Sequence, residues 1–136
     1  PITIICPGIN SDLISSIDPY ENMTVRYDLG YSDALDEICK HHIFLNPSML
    51  EAGHPNLTIL EAAACGLPIN GWIEMETDFS GMWRANRNVL ALVNGLDDII
   101  NDYDNYRQKA INHAESLSWY NRSIELLKVY QKPSSI

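Results

Sequence analysis

"IFLNPSMLEAGHPNLTILEAAACGLPINGW", Ile43 to Trp72, holds the pattern on which the fold turns. The apolar run Ile43-Phe44-Leu45 stops at Asn46-Pro47, because proline has no N–H to give a strand ladder. A loop with Gly53 and Pro55 follows. From Leu57 about nine residues run without a breaker to Gly66, a residue suited to closing a helix. Pro68-Ile69-Asn70-Gly71-Trp72 then reads as a second strand. Strand, helix and strand in so short a space make a crossover unit, and its two strands must run parallel.

The same alternation extends toward the N-terminus. Ile2 to Cys6 is a β-branched apolar run closed by Pro7-Gly8, which predicts a buried strand entering a tight turn. Asn10, Ser11 or Asp12 can cap a short helix ending near Asp18-Pro19. Met23 to Tyr27 predicts another strand, Gly30 breaks the chain, and Ser32-Asp33 opens a helix to about His41, with Ala34, Leu35 and Ile38 on one side. Beyond Trp72 the pattern weakens. Residues 73 to 87 have no clean period, Asn88 to Val93 reads as a last strand, and helices are expected over Gly95 to Asn101, Asp104 to Leu117 and Trp119 to Gln131. The expected class is α/β: one domain over residues 1–136, with a Rossmann-like parallel sheet flanked by helices and further helices at the C-terminus. Such sheets bind ligands at the carboxyl ends of their strands.

Composition agrees with a single globular domain. The chain has 136 residues, 46% hydrophobic and 20% charged, enough to bury a core of its own. No apolar run approaches the roughly 18 residues of a membrane span, and the start lacks the basic region of a signal peptide, so a cytoplasmic protein is expected. A net charge of −9 argues against nucleic acid as main partner, since a phosphate backbone attracts Lys and Arg. Cys6, Cys39 and Cys65 are odd in number and widely spaced, which suits reduced thiols better than a disulfide framework or a zinc site. His41-His42 ends a helix and is read as a dipole contact rather than a metal site, and Trp72, Trp83 and Trp119 as packing residues.

Two acids stand in the opening stretch. Glu61 lies on a helix whose other residues are apolar or small on every face, where an ionised side chain is costly unless bonded. Two readings stay open for it. Thr58-x-x-Glu61 has the form of a capping box, in which the acid folds back on the free amides of the first turn. Alternatively, those amides hold a phosphate and the carboxylate receives the hydroxyls of an attached sugar. Glu51 is either such a ligand or simply a solvated loop acid.

Pro47-Ser48-Met49-Leu50-Glu51 followed by Asn56-Leu57-Thr58-Ile59-Leu60-Glu61-Ala62-Ala63-Ala64-Cys65-Gly66-Leu67-Pro68 resembles the "PSxxE…GLTxLEAxACGxP" segment of the group 1 (family 4-like) retaining glycosyltransferases of GT-B fold. Ile2 to Gly8 resembles the family's preceding strand-turn, Leu29-Gly30-Tyr31 its "xLGxv" turn, and Leu117-Ser118-Trp119 with Leu126-Leu127-Lys128-Val129-Tyr130 its closing "FSW…LLxxY". The resemblance covers most of the chain in the right order and implies the C-terminal, donor-binding domain. It also implies a fragment, without that domain's first strand-helix unit and without the N-terminal acceptor domain.

By resemblance, Glu51 contacts the donor sugar and is the catalytic glutamate, while Glu61 takes the ribose of the nucleotide. Asn56, Leu57 and Thr58 supply the helix N-terminus for the diphosphate, with Ser48, Gly53 and His54 in the loop before it. Gly30 and Tyr31 hold the base, and Gly8 faces the nucleotide. The family separates its glutamates by eight positions and this chain by ten, the additional residues falling in Ala52-Gly53-His54-Pro55, where His54 could share the work of Glu51. The usual acid and second glycine beside Gly8 are absent.

The resemblance implies retaining transfer from a UDP- or GDP-linked sugar, with no metal and no cofactor beyond the donor itself. The acceptor would be a glycan, lipid or other molecule held by the N-terminal domain, and peripheral association of the full protein with the inner face of a membrane is compatible with it. This fragment alone is expected to be inactive, since the family's Arg and Lys lie upstream. Two other readings remain: a non-catalytic nucleotide-sugar-binding or interaction module with a degenerate site, and a phosphorylase or epimerase on the same fold.

Overall fold

Ile2–Cys6 (β1) and Met23–Tyr27 (β2) pair in parallel, with Ile2 opposite Met23 and Cys6 opposite Tyr27. The Ile2 N–H donates to the Asn22 carbonyl at 2.8 Å and fixes the start of that ladder. The structure, a computed structural model, describes residues 1–6, 8, 9, 11–18, 20–47, 57–71, 82–84 and 88–130, with the backbone alone at 82–84 and 129. Between the two strands runs the short helix Ser11–Ile17 (α1), and after them Tyr31–Ile38 (α2). Residues 1–38 form one compact unit, in which Ile17 and Ile38 are buried.

The second unit, residues 39–136, holds a three-stranded sheet in which Phe44–Asn46 (β3), Ile69–Gly71 (β4) and Met82–Arg84 (β5) lie side by side in that order, all parallel. Parallel pairing is what the crossover pattern in the sequence dictates. The described strands, however, fall into two sheets instead of one. Helix Leu57–Ala64 (α3) joins β3 to β4. Its end is a Schellman motif: Gly66 takes a φ of 78° and donates to the Ala63 carbonyl, and Leu67 N–H donates to Ala62. A Cβ at Gly66 would also come within 3.3 Å of Ile111, so helix Tyr103–Ser116 (α5) packs closely against this turn. Helices Val89–Asn101 (α4) and Trp119–Tyr130 (α6) complete the unit, and Ile59, Ile69, Ile99 and Ala110 form its driest core.

Five expectations are corrected. Asn88 to Val93 is not a strand: the Asn88 side chain accepts from the Ala91 N–H at 2.7 Å and caps α4, which runs to Asn101 and buries Leu92, Gly95 and Ile99 at helical spacing. β5 lies within the stretch that showed no period, because three residues carry too little pattern to register. α3 is not enclosed on every face: Ile59, Ala62 and Ala63 are buried, whereas Leu57 and Ala64 are exposed. Cys39 and Cys65 are joined in a disulfide with a Cα–Cα distance of 5.2 Å, leaving Cys6 as the free thiol. Trp119 is 91% exposed rather than packed.

Candidate functional site

In a parallel sheet the loops that leave the carboxyl ends of the strands gather the residues able to hold a ligand. In the first unit these ends carry Gly8 after β1 and Asp28 to Tyr31 after β2. Asp28 has a φ of 55°, a left-handed conformation that aspartate tolerates better than most residues, and its carboxylate lies 3.9 Å from where a Cβ on Gly8 would stand. Gly8 and the β2 turn are therefore neighbours. Gly30 accepts the first helical bond of α2, from the Ala34 N–H at 2.9 Å, and Tyr31, 69% exposed, opens that helix. Both residues thus stand at an accessible turn. Sequence reading missed Asp28, whose backbone conformation no local pattern announces.

In the second unit the corresponding place is the carboxyl end of β3. Asn46 closes that strand, and α3 starts at Leu57. The α3 crossover begins at this end of the sheet and returns to the start of β4, so its first turn, Leu57 and Thr58, lies at the carboxyl end. The free N–H groups of a first turn, with the positive end of the helix dipole, favour an anion. Thr58 stands inside the turn rather than at the cap, so the Thr58–Glu61 capping box is not the arrangement found. Glu61 is half-buried one turn along, on the same open face as Leu57 and Ala64. Ser48, Glu51, Gly53, His54 and Asn56 lie outside the described residues.

Sequence reading also missed Asn46. It is only 6% exposed, and its side-chain Nδ2 is buried with no hydrogen-bond partner among the described residues. Opposite it in register stands Gly71, where a Cβ would fall 2.6 Å from the Asn46 carbonyl oxygen; glycine is what lets the two strands approach here. The only signal in the sequence is a polar residue at the end of an apolar strand, which a turn explains equally well.

Among the described residues no group of three or more His, Cys, Asp or Glu is placed to hold a metal ion, and no helix is long and apolar enough to cross a membrane. At Tyr106 on α5, burial, then the carboxylates of Asp98 and Asp102, raise the hydroxyl above its ordinary acidity range.

No family model matches the sequence, and no curated protein matches it. Among solved structures the chain is similar to the pneumococcal O-GlcNAc transferase GtfA, solved in complex with UDP and GlcNAc, with a TM-score of 0.64 over 96% of this chain at 17% identity. The match spans 28% of that protein's chain. The fold of this chain, parallel strands flanked by helices, is similar to that of part of this transferase.

Proposed function

We propose that the chain is the donor-binding part of a glycosyltransferase, and that it binds a nucleoside-diphosphate sugar, UDP- or GDP-linked, for retaining transfer to an acceptor held by another domain. The observation that carries this reading is the first turn of α3 at the carboxyl end of β3, with Glu61 one turn further on the same face as Leu57. A helix N-terminus suits a diphosphate, and a carboxylate at that distance suits the ribose hydroxyls. The fold supports the reading, since a similar structure belongs to a transferase solved with UDP. As the glycosidic bond breaks, negative charge grows on the leaving diphosphate, and the helix amides with the Thr58 hydroxyl stabilise it without a metal. Glu51 would address the sugar, and Gly8, Gly30 and Tyr31 the base.

The proposal includes a longer protein. Ile2 and Leu45, in strands of apolar composition, are 47% and 44% exposed, and α6 exposes Trp119, Tyr120, Leu126, Leu127 and Tyr130. Surface of this kind is ordinarily covered. A first strand-helix unit and an acceptor domain would supply the cover, together with the basic residues that complete the site. The full protein would work in the cytoplasm, at the inner face of a membrane if its acceptor is a lipid.

Calorimetric titration of the full-length protein with UDP and GDP tests the reading. Glu61→Ala should weaken binding roughly 10- to 100-fold, the loss expected when charge-assisted hydrogen bonds are removed. Unchanged affinity in that variant would sink the ribose assignment, and failure of the wild type to bind either nucleotide would sink the donor site.

A further inference from the structure

The spacing of the cysteines favours three reduced thiols, yet the structure joins two of them. Cys39 follows the last residue of α2, and Cys65 follows the last residue of α3. The bond between them spans 26 positions, and the ring it closes takes in β3 and α3 with the candidate site residues Leu57, Thr58 and Glu61. Cys39 is exposed and Cys65 half-buried. Neither belongs to the dry core of the unit, which Ile59, Ile69, Ile99 and Ala110 make without them. A thiol in solution can therefore reach the bond, and opening it leaves that core in place.

Exposed disulfides are the labile ones, whereas structural disulfides resist the cellular thiol pool. In a reducing compartment the labile kind is transient, and sensing is among its usual roles. Here the bond bears on α3. The Cys65 N–H donates to the Glu61 carbonyl at 3.0 Å, so the bonded residue continues the helix directly from Glu61. While the bond is closed, that helix end is tied to the chain entering β3. Once it opens, noncovalent contacts hold the helix, among them the buried Ile59, Ala62 and Ala63. The unfolded chain also regains the freedom that the ring denied it, which lowers stability.

We propose that Cys39–Cys65 is a reversible thiol–disulfide switch that tightens the β3–α3–β4 crossover when oxidised and loosens it when reduced, nucleotide affinity at the donor site following the same state. The inference rests on the proposed donor site and its cytoplasmic setting. The reductant is a dithiol. One of its thiolates attacks the exposed Cys39 sulfur, the S–S bond breaks, and Cys65 leaves as a thiolate that takes a proton from water. The second thiol of the reductant, losing its proton, displaces Cys39, which leaves and is protonated in the same way. The reductant ends as a disulfide, and the chain has gained two electrons and two protons. Glutathione disulfide reverses the change and becomes two glutathione thiols.

The test uses the full-length protein, without denaturant, equilibrated in glutathione buffers of graded thiol-to-disulfide ratio. Free thiols are alkylated and located by peptide mass spectrometry, and each form is melted and titrated with UDP and GDP. Cys39 and Cys65 should gain and lose the label together and reversibly within cytoplasmic ratios, with unchanged far-ultraviolet dichroism. The reduced form should melt at least about 3 °C lower and bind the nucleoside diphosphate at least about fivefold more weakly. Cys39→Ser and Cys65→Ser should match the reduced form and lose the redox response, whereas Cys6→Ser should keep it. Should either serine variant at the pair fail to fold, the two forms of the wild type carry the same prediction. A bond that stays closed at every ratio is structural and overturns the proposal, as does a pair that never closes. Equal melting of the two forms, or equal affinity where both bind nucleotide, overturns it too. If neither form binds UDP or GDP, the donor-site reading fails, and the switch stands or falls on exchange and melting alone.

Discussion

Gly71 shows how much one residue can decide. It sits in the central strand β4, opposite Asn46, and the space a Cβ would need is occupied by the Asn46 backbone oxygen at 2.6 Å. The clash is with backbone, so relief requires the strands themselves to shift. Gly71→Ala should destabilise the chain by about 1–3 kcal/mol, the usual cost of overpacking a tight core, measured by urea denaturation of residues 1–136. Gly8 and Gly30 are a contrast: an added Cβ would meet Asp28 at 3.9 Å and Asp33 at 3.5 Å, ordinary contacts, so alanine at either place should cost little stability. A stability loss at Gly71 no greater than at Gly30 would refute the steric account. Their value, if the base sits at that turn, lies in access for the ligand rather than in folding.

At the scale of elements, α4 is where sequence and structure part most clearly. Val89-Leu90-Ala91-Leu92-Val93 is apolar throughout, and a run of that length fits a strand as well as a helix. Two features decide for the helix. Asn88 adopts extended backbone at φ −145° and lends its side chain to the Ala91 N–H, and the buried positions Leu92, Gly95 and Ile99 continue past Val93 at helical spacing. Asn88→Ala should therefore cost about 1 kcal/mol, read as a lower urea midpoint, while Asn88→Asp or Asn88→Ser should preserve stability. Equal stability of the alanine variant would mean the cap is incidental. Elsewhere most elements were legible to a residue or two, although α2 ends at Ile38 rather than near His41: β1 and β2 begin and end where the alternation does, and α3 closes on Gly66 because no other residue enters the left-handed region so cheaply. What was not legible depends on distant partners. β5 exists because it pairs with β4, Cys39 meets Cys65 across 26 positions, and Asn46 gains its meaning only from burial. The candidate site divides the same way. Its helix-end residues, Leu57, Thr58 and Glu61, are proposed from a linear motif, whereas the burial of Asn46 at the end of β3 has no linear signal.

For the whole molecule, the composition of β1 predicts more than its present surroundings deliver. Ile2-Thr3-Ile4-Ile5-Cys6 has the apolar, β-branched character of an interior strand in a parallel sheet, yet none of its residues is buried, and β2 alone pairs with it among the described strands. A two-stranded ladder with two short helices, 38 residues in all, lies at the size below which a core rarely sustains itself. Residues 39–136 are better provided: Ile59 and Ile99 are wholly buried, Ile69 is 1% exposed, and the Cys39–Cys65 bond closes a loop within the unit. The two units should therefore differ in local stability. In native-state hydrogen exchange on residues 1–136, ladder amides of β1 and β2, Ile4 among them, should exchange at least about tenfold faster than those of Ile69 and Asn70 in β4, because opening the smaller unit exposes little that was dry. The same amides should slow in the full-length protein if a further strand covers β1. Equal protection of Ile4 and Ile69 in residues 1–136 would show that the first unit draws its stability from something other than its own core. Slow exchange there would remove the mismatch between composition and exposure as an argument for a longer protein.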